Sequence, residues 1–195
     1  MNLSPVTLMG RHARLEPLGE PHLASLRRHG ADAQIWRWMP TLRADPRESV
    51  QVWFDRASAA AARGDVVAWA VVEIATGEAV GGTTYLDIAP ADKRLELGST
   101  WLARAVWRTA INTECKFLLL RHAFETLGCN RVQLKTDQRN ERSQAAIARL
   151  GAVREGVLRA QMVMPDGWVR DTVMFSIIAP EWPAVKARLE ARMAR

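Results

Sequence analysis

The residues whose types and spacing could do chemistry cluster between Leu95 and Phe124. Leu95-Glu96-Leu97-Gly98-Ser99-Thr100-Trp101-Leu102 alternates apolar with small or polar residues, as a strand does, while Ile111, Cys115, Leu118, Leu119 and His122 recur at helical spacing. Between them runs Arg104 to Thr113, a joint where the first helical amides have no intrahelical acceptor and the dipole is positive. Such an end can hold a phosphate, although every strand–loop–helix joint shares that geometry. His12, His22, His29 and His122 show no metal-ligand spacing, and His122 reads as a packed core histidine. Cys115 and Cys129 support neither a disulfide framework nor a metal cluster, and read as buried thiols. The rings of Trp36, Trp38, Trp53 and Phe54 fit either a core or an apolar lid over a ligand.

The elements that must position these residues follow from periodicity and punctuation. Arg11 to Leu18 reads as a strand, Glu20 to His29 as a short amphipathic helix stopped by Gly30, and Arg47 to Arg63 as a helix stopped by Gly64. Val66 to Ile74, Val80 to Ala89 and Lys93 to Leu102 form an antiparallel meander through turns at Ala75–Glu78 and Ala89–Asp92. A helix then leads to the strand Arg131 to Asp137, which should lie parallel to the strand before it. Asn140 to Leu150 is a helix closed by Gly151. Val153 to Met164 and Val169 to Ile178 pair across Pro165-Asp166-Gly167, and a basic helix, Glu181 to Arg195, ends the chain.

A length of 195 residues suits one domain over 1–195, and 48% hydrophobic with 25% charged residues is ordinary for a soluble globular protein. There is no apolar run long enough to span a bilayer, and Met1 to Gly10 lacks the pattern of a secretory signal, so the expected address is the cytoplasm. A net charge of +6 suits nucleic acid, a ribosomal surface or an anionic cofactor. Arginine is spread along the whole chain, however, so nucleic-acid binding is not expected.

Glu96-Leu97-Gly98-Ser99-Thr100-Trp101-Leu102, Leu118 to Glu125, and Lys135-Thr136-Asp137 with Asn140-Glu141-Arg142-Ser143 and Leu150-Gly151-Ala152 resemble the GCN5-related N-acetyltransferase (GNAT) superfamily. The branch they resemble is that of the ribosomal-protein N-terminal acetyltransferases of RimJ/RimL type. The resemblance implies a layered α+β fold: a mixed, mostly antiparallel sheet of about seven strands, splayed between two parallel strands and flanked by helices on both faces. It implies acetyl-CoA as donor and a primary amine, on a protein N-terminus or a small molecule, as acceptor, with no metal. Backbone groups of Thr100, Trp101 and Leu102 would pair with the pantetheine arm and polarise the thioester. Trp107, Arg108, Thr109, Ala110, Ile111, Asn112 and Thr113 would carry the pyrophosphate, Asn140 would bond the pantetheine amide, and Ser143 would approach the sulfur.

Glu96 would be the general base, on the strand face that alternation shares with Gly98 and Thr100, unless it is an ordinary strand glutamate paired with Arg94 or Arg131. An acceptor pocket would lie between Trp36–Trp38 and the Pro165-Asp166-Gly167 hairpin, where Asp87, Asp171 and Glu96 could attract a cationic amine. The chain departs from the family at the loop: the glycine positions fall on Arg108 and Ala110, and the Arg/Gln position on Trp107. The tyrosine that many members carry on the helix after the parallel strand is missing, since Tyr85 lies on an earlier strand. Two other readings stay open: a CoA-binding or degenerate fold without catalysis, and a basic protein associated with RNA or ribosomes. The exposed edge of the terminal hairpin would permit a homodimer.

Overall fold

The computed structural model describes residue 1 and residues 3–194. Among the described residues, four of the six helices start where a short polar side chain satisfies a first-turn amide. Asp32 accepts from Gln34 N ahead of α2 (Ala33–Trp36), which follows α1 (Leu23–His29). Asp45 accepts from Arg47 N ahead of α3 (Pro46–Ala62), and Thr109 from Ile111 N ahead of α4 (Ala110–Arg121). Asn140 accepts from Ser143 N ahead of α5 (Glu141–Leu150), and α6 is Trp182–Met193.

The strands are β1 (Leu8–Met9), β2 (Ala13–Pro17), β3 (Val67–Glu73), β4 (Ala79–Ala89), β5 (Arg94–Leu102), β6 (Arg131–Asp137), β7 (Val153–Val163) and β8 (Val169–Ile178). They form one eight-stranded sheet in the order β1, β2, β3, β4, β5, β6, β8, β7. The extra strand is β1, which pairs Leu8 with Leu15; two residues are too few to display an alternation. The expected strand Arg11–Leu18 shortens because Glu114 on α4 accepts the N–H groups of Arg11, His12 and Ala13 at 2.6, 2.7 and 2.8 Å. Those amides bend toward the helix instead of entering the ladder.

Alternation along the strands buries two apolar layers. On one face Leu95, Leu97, Val132, Leu134, Val173, Phe175 and Ile177 pack under α4, α5 and α6. On the other, Ala68, Ala70, Val72 and Trp101 pack under α1, α2 and α3. Gly82 of β4 makes that second contact possible, since a Cβ there would stand 2.1 Å from the Trp53 ring.

Two irregularities shape the centre of the sheet. The parallel strands β5 and β6 pair only at Arg94–Arg131, Leu95–Val132 and Glu96–Gln133, although both run on. And β5 bulges: Gly98 lies opposite Thr84 and Trp101 opposite Gly82, so Ser99 and Thr100 together face Thr83, with Ser99 at φ 48°.

Candidate active site

Beyond Glu96 the two parallel strands part, and the edge of β5 that faces β6 has no ladder partner. Thr100, Trp101 and Leu102 lie on that stretch. Ala103 N donates to Val80 O on β4, so alternation turns the backbone groups of Leu102 the other way, into the gap. The Leu102 carbonyl is already engaged there, accepting from Trp107 Nε1 at 2.8 Å. The bulge also overturns one expectation. By simple alternation Thr100 would share the face of Glu96; instead the extra residue flips it toward α4, where its hydroxyl accepts from Lys116 Nζ at 2.7 Å and meets Thr83 Oγ1 at 2.7 Å. Lys116 is 9% exposed, has no ion-pair partner among the described residues, and burial lowers its pKa to about 8.

The loop from β5 to α4 reaches the geometry of a glycine-rich turn without glycine. Arg108 adopts φ 63°, the left-handed region in which a Cβ is unfavourable. Neither Arg108 nor Arg142 has an ion-pair partner among the described residues, and the two are close enough for Arg108, after burial, to help lower the pKa of Arg142. Arg142 lies 3.7 Å over the Trp107 ring. Trp107 is therefore a clamp between strand end and α5, with its N–H engaged, and not the polar ligand its position in the family pattern suggests. The Ile111 side chain is core and its amide is capped by Thr109 Oγ1, which leaves the first-turn amides of Ala110 and Asn112. Thr109 and Ala110 are exposed at the helix tip, and Asn112 and Thr113 are half-buried.

Glu96 is 1% exposed, on the sheet face away from α4. Its partner is neither Arg94, which pairs with Asp87, nor Arg131, which pairs with Glu155, but Lys135, whose Nζ stands 2.9 Å from Oε2. That approach lacks hydrogen-bond alignment, so the buried Oε2 accepts no hydrogen bond. Gly98 leaves the carboxylate room: a Cβ there would stand 2.8 Å from Oε1. At the head of α5, Asn140 Oδ1 caps the helix by accepting from Ser143 N, and the half-buried Ser143 hydroxyl makes no hydrogen bond among the described residues.

The same face continues onto β6 and β8 as Gln133, Lys135, Asp137, Arg170 and Thr172, because directly opposed residues share a face. Asp137, 1% exposed, receives Arg139 Nε and Nη2 at 3.0 and 2.8 Å; burial works to raise its pKa, but those bonds prevail and hold it low. Arg139 in turn lies between two rings, 4.9 Å from the centre of Trp38 and 4.1 Å from that of Trp168. The helices α1, α2 and α3 pack against β4, β5 and β3, and Trp38, Arg139 and Trp168 stand together beside this strip.

Three expected acceptor residues lie elsewhere. Trp36 is fully buried, donates to Gly30 O at 2.8 Å and packs 5.0 Å from Trp101, so it is core. Asp87 accepts from Gln133 and Arg94, at the end where β5 and β6 are still paired, some six residues or about 20 Å along β5 from Thr100. Asp171 accepts from Ala160 N on the edge strand. Tyr85 is sealed under α4 against Leu119 O, and His122 stacks on it. Burial raises the Cys115 and Cys129 thiols to about 12 and about 11, which leaves neither as a nucleophile. Sequence reasoning missed Lys116, Arg139, Trp168 and Arg170. Lys135 could have been found from its alternation with Asp137; nothing local marks Arg170.

The family described as Acetyltransferase (GNAT) domain matches residues 12–153. A T. thermophilus protein described as an acetyltransferase superposes with a TM-score of 0.85 at 43% identity, covering 96% of this chain and 97% of its own. Mycobacterium smegmatis RimJ, in complex with CoA-disulfide, gives a TM-score of 0.83 at 24% identity over 97% of this chain and 96% of its own, a likeness of fold. Bacillus subtilis YoaA, an uncharacterized N-acetyltransferase, is 27% identical over 114 residues, 58% of this chain. The chain spans 63% of YoaA and 59% of a second B. subtilis relative, less than two thirds of either. The family match extends over more than half of the sequence, and with the splayed β5–β6 pair it means that the chain belongs to the GNAT acetyltransferase family.

Proposed function

We propose that the protein moves an acetyl group from acetyl-CoA to a primary amine, of a polypeptide N-terminus or a small molecule, by direct attack in a ternary complex. The observation that carries this reading is the parting of β5 and β6 after Glu96, which leaves an open backbone edge in the middle of the sheet. An extended pantetheine arm can add to such an edge as a strand would. The pyrophosphate then meets Arg108, Arg142 and the free amides at the head of α4, a set of cations and donors without protein anions of their own. Arg108 already holds the left-handed turn, so loss of the glycines has not unmade the loop. The relative solved with a CoA derivative supports the same donor class.

In the reaction the amine nitrogen attacks the thioester carbonyl carbon. As the C–N bond forms, backbone N–H groups of β5 stabilise the oxyanion. The C–S bond then breaks and the electron pair leaves on sulfur as a thiolate, which Ser143 Oγ can solvate. The Glu96 carboxylate takes the amine proton, directly or through one water. Calorimetric titration with acetyl-CoA, beside Arg108→Ala, tests the reading. We expect micromolar binding that weakens about tenfold in the variant; no binding by either protein overturns it.

A further inference from the structure

Arg170 is 5% exposed, yet no carboxylate among the described residues forms an ion pair with it. Its Nε donates to Thr172 Oγ1 at 2.9 Å, and its two Nη groups make no hydrogen bond to protein among the described residues. The nearby acids are already matched: Glu96 with Lys135, and Asp137 with both arms of Arg139. Arg170 shares a sheet face with Glu96, Lys135 and Asp137, and the charges of Asp137 and Glu96 reach it. Thr172, its one hydrogen-bond partner, donates onward to Gln161 Oε1 on β7, so the guanidinium is fixed at its base while its outer donors are unused.

A buried guanidinium without a contacting anion is destabilising, and the penalty is relieved when a ligand supplies the anion. A fork of two parallel N–H donors matches a carboxylate. We infer that Arg170 seats a carboxylate of the acceptor, so that the amine acetylated beside Glu96 belongs to a small amino acid. Arg170 and Glu96 lie on the same face of the sheet, so one ligand on that face can meet both. The assignment rests on the acetyl-transfer reading and narrows its acceptor.

The test compares the protein α-amino acids with their own carboxamides as acceptors, by acetyl-CoA-dependent thiol release, in the wild type and in Arg170→Gln. Loss of charge at the carboxylate should lower kcat/KM about tenfold or more in the wild type, and the gap between acid and amide should close in the variant. Arg170→Lys, which keeps the charge but not the fork, should recover part of the gap; it also guards against an Arg170→Gln protein that fails to fold. If amides serve as well as acids, or the preference survives in Arg170→Gln, the inference falls. It also falls if acetyl-CoA binds but no amino acid is acetylated, an outcome that leaves polypeptide N-termini as acceptors. Absence of acetyl-CoA binding would instead remove the acetyl-transfer reading itself.

Discussion

Lys135 Nζ stands 2.9 Å from Glu96 Oε2, so the two parallel strands are tied by their own side chains where they separate. The pair fixes the carboxylate at the base of the gap while leaving Oε2 without a hydrogen bond. Glu96→Gln keeps the shape and removes the proton acceptor. Turnover should fall about 100-fold or more, with acetyl-CoA affinity by calorimetry within about twofold of wild type. A variant that turns over normally would return Glu96 to an ordinary strand residue.

Arg108 combines a strained backbone with a cation facing no protein anion, and one substitution separates the two. Arg108→Gly relieves the left-handed strain, so it should stabilise the fold by about 1 kcal/mol, less what glycine adds to the unfolded chain's entropy. The same change should weaken acetyl-CoA binding. Urea midpoints and calorimetry on one preparation read both; a protein that becomes more stable without losing affinity would show that the side chain does not touch the ligand.

The regular elements were legible because their signals are periodic and local. Arg131–Asp137 and Val169–Ile178 appear with the boundaries expected of them, and the cap residues mark the helices. The site was less legible because it depends on register. A single residue, Ser99 at φ 48°, moves Thr100 to the opposite face from Glu96, and serine has no signature for such a bulge. Composition could not say which ring near residue 36 faces the core; Trp36 does, and Trp38 stands against Arg139 instead. Arg170 acquires its place only when β8 is laid against β6 with Thr172 opposite Asp137.

The ring cluster under α3 holds the bulged end of β5 in place, since Trp53 Nε1 donates to Ser99 O at 3.0 Å and its ring meets Trp101 edge-on at 5.8 Å. Gly82→Ala would push a methyl group into that ring. Overpacking there should cost about 1–3 kcal/mol, read as a lower urea midpoint, and should weaken acetyl-CoA binding by disturbing Thr100 to Leu102. Unchanged stability would mean that the ring can move aside freely and does not set the bulge.

Lys116 places a buried cation against Thr100, on the stretch of β5 that has lost its partner strand. Burial lowers its pKa from 10.5 to about 8. Below about pH 8 both folded and unfolded chains carry the charge, and the folded one bears the full penalty of burying it. Between about 8 and 10.5 the folded lysine is neutral while the unfolded one still holds its proton, so this residue's contribution to stability rises with pH. At about 1.4 kcal/mol per pH unit the rise amounts to about 3 kcal/mol. Lys116→Met lacks the titrating group and should lack the rise. Unfolding free energies measured near pH 8 and near pH 10.5 should therefore show the wild type gaining on the variant, other titrating groups being common to both. Parallel pH dependences would mean that Lys116 keeps an ordinary pKa, through water reaching its ammonium group, and that the gap beside Thr100 is wet.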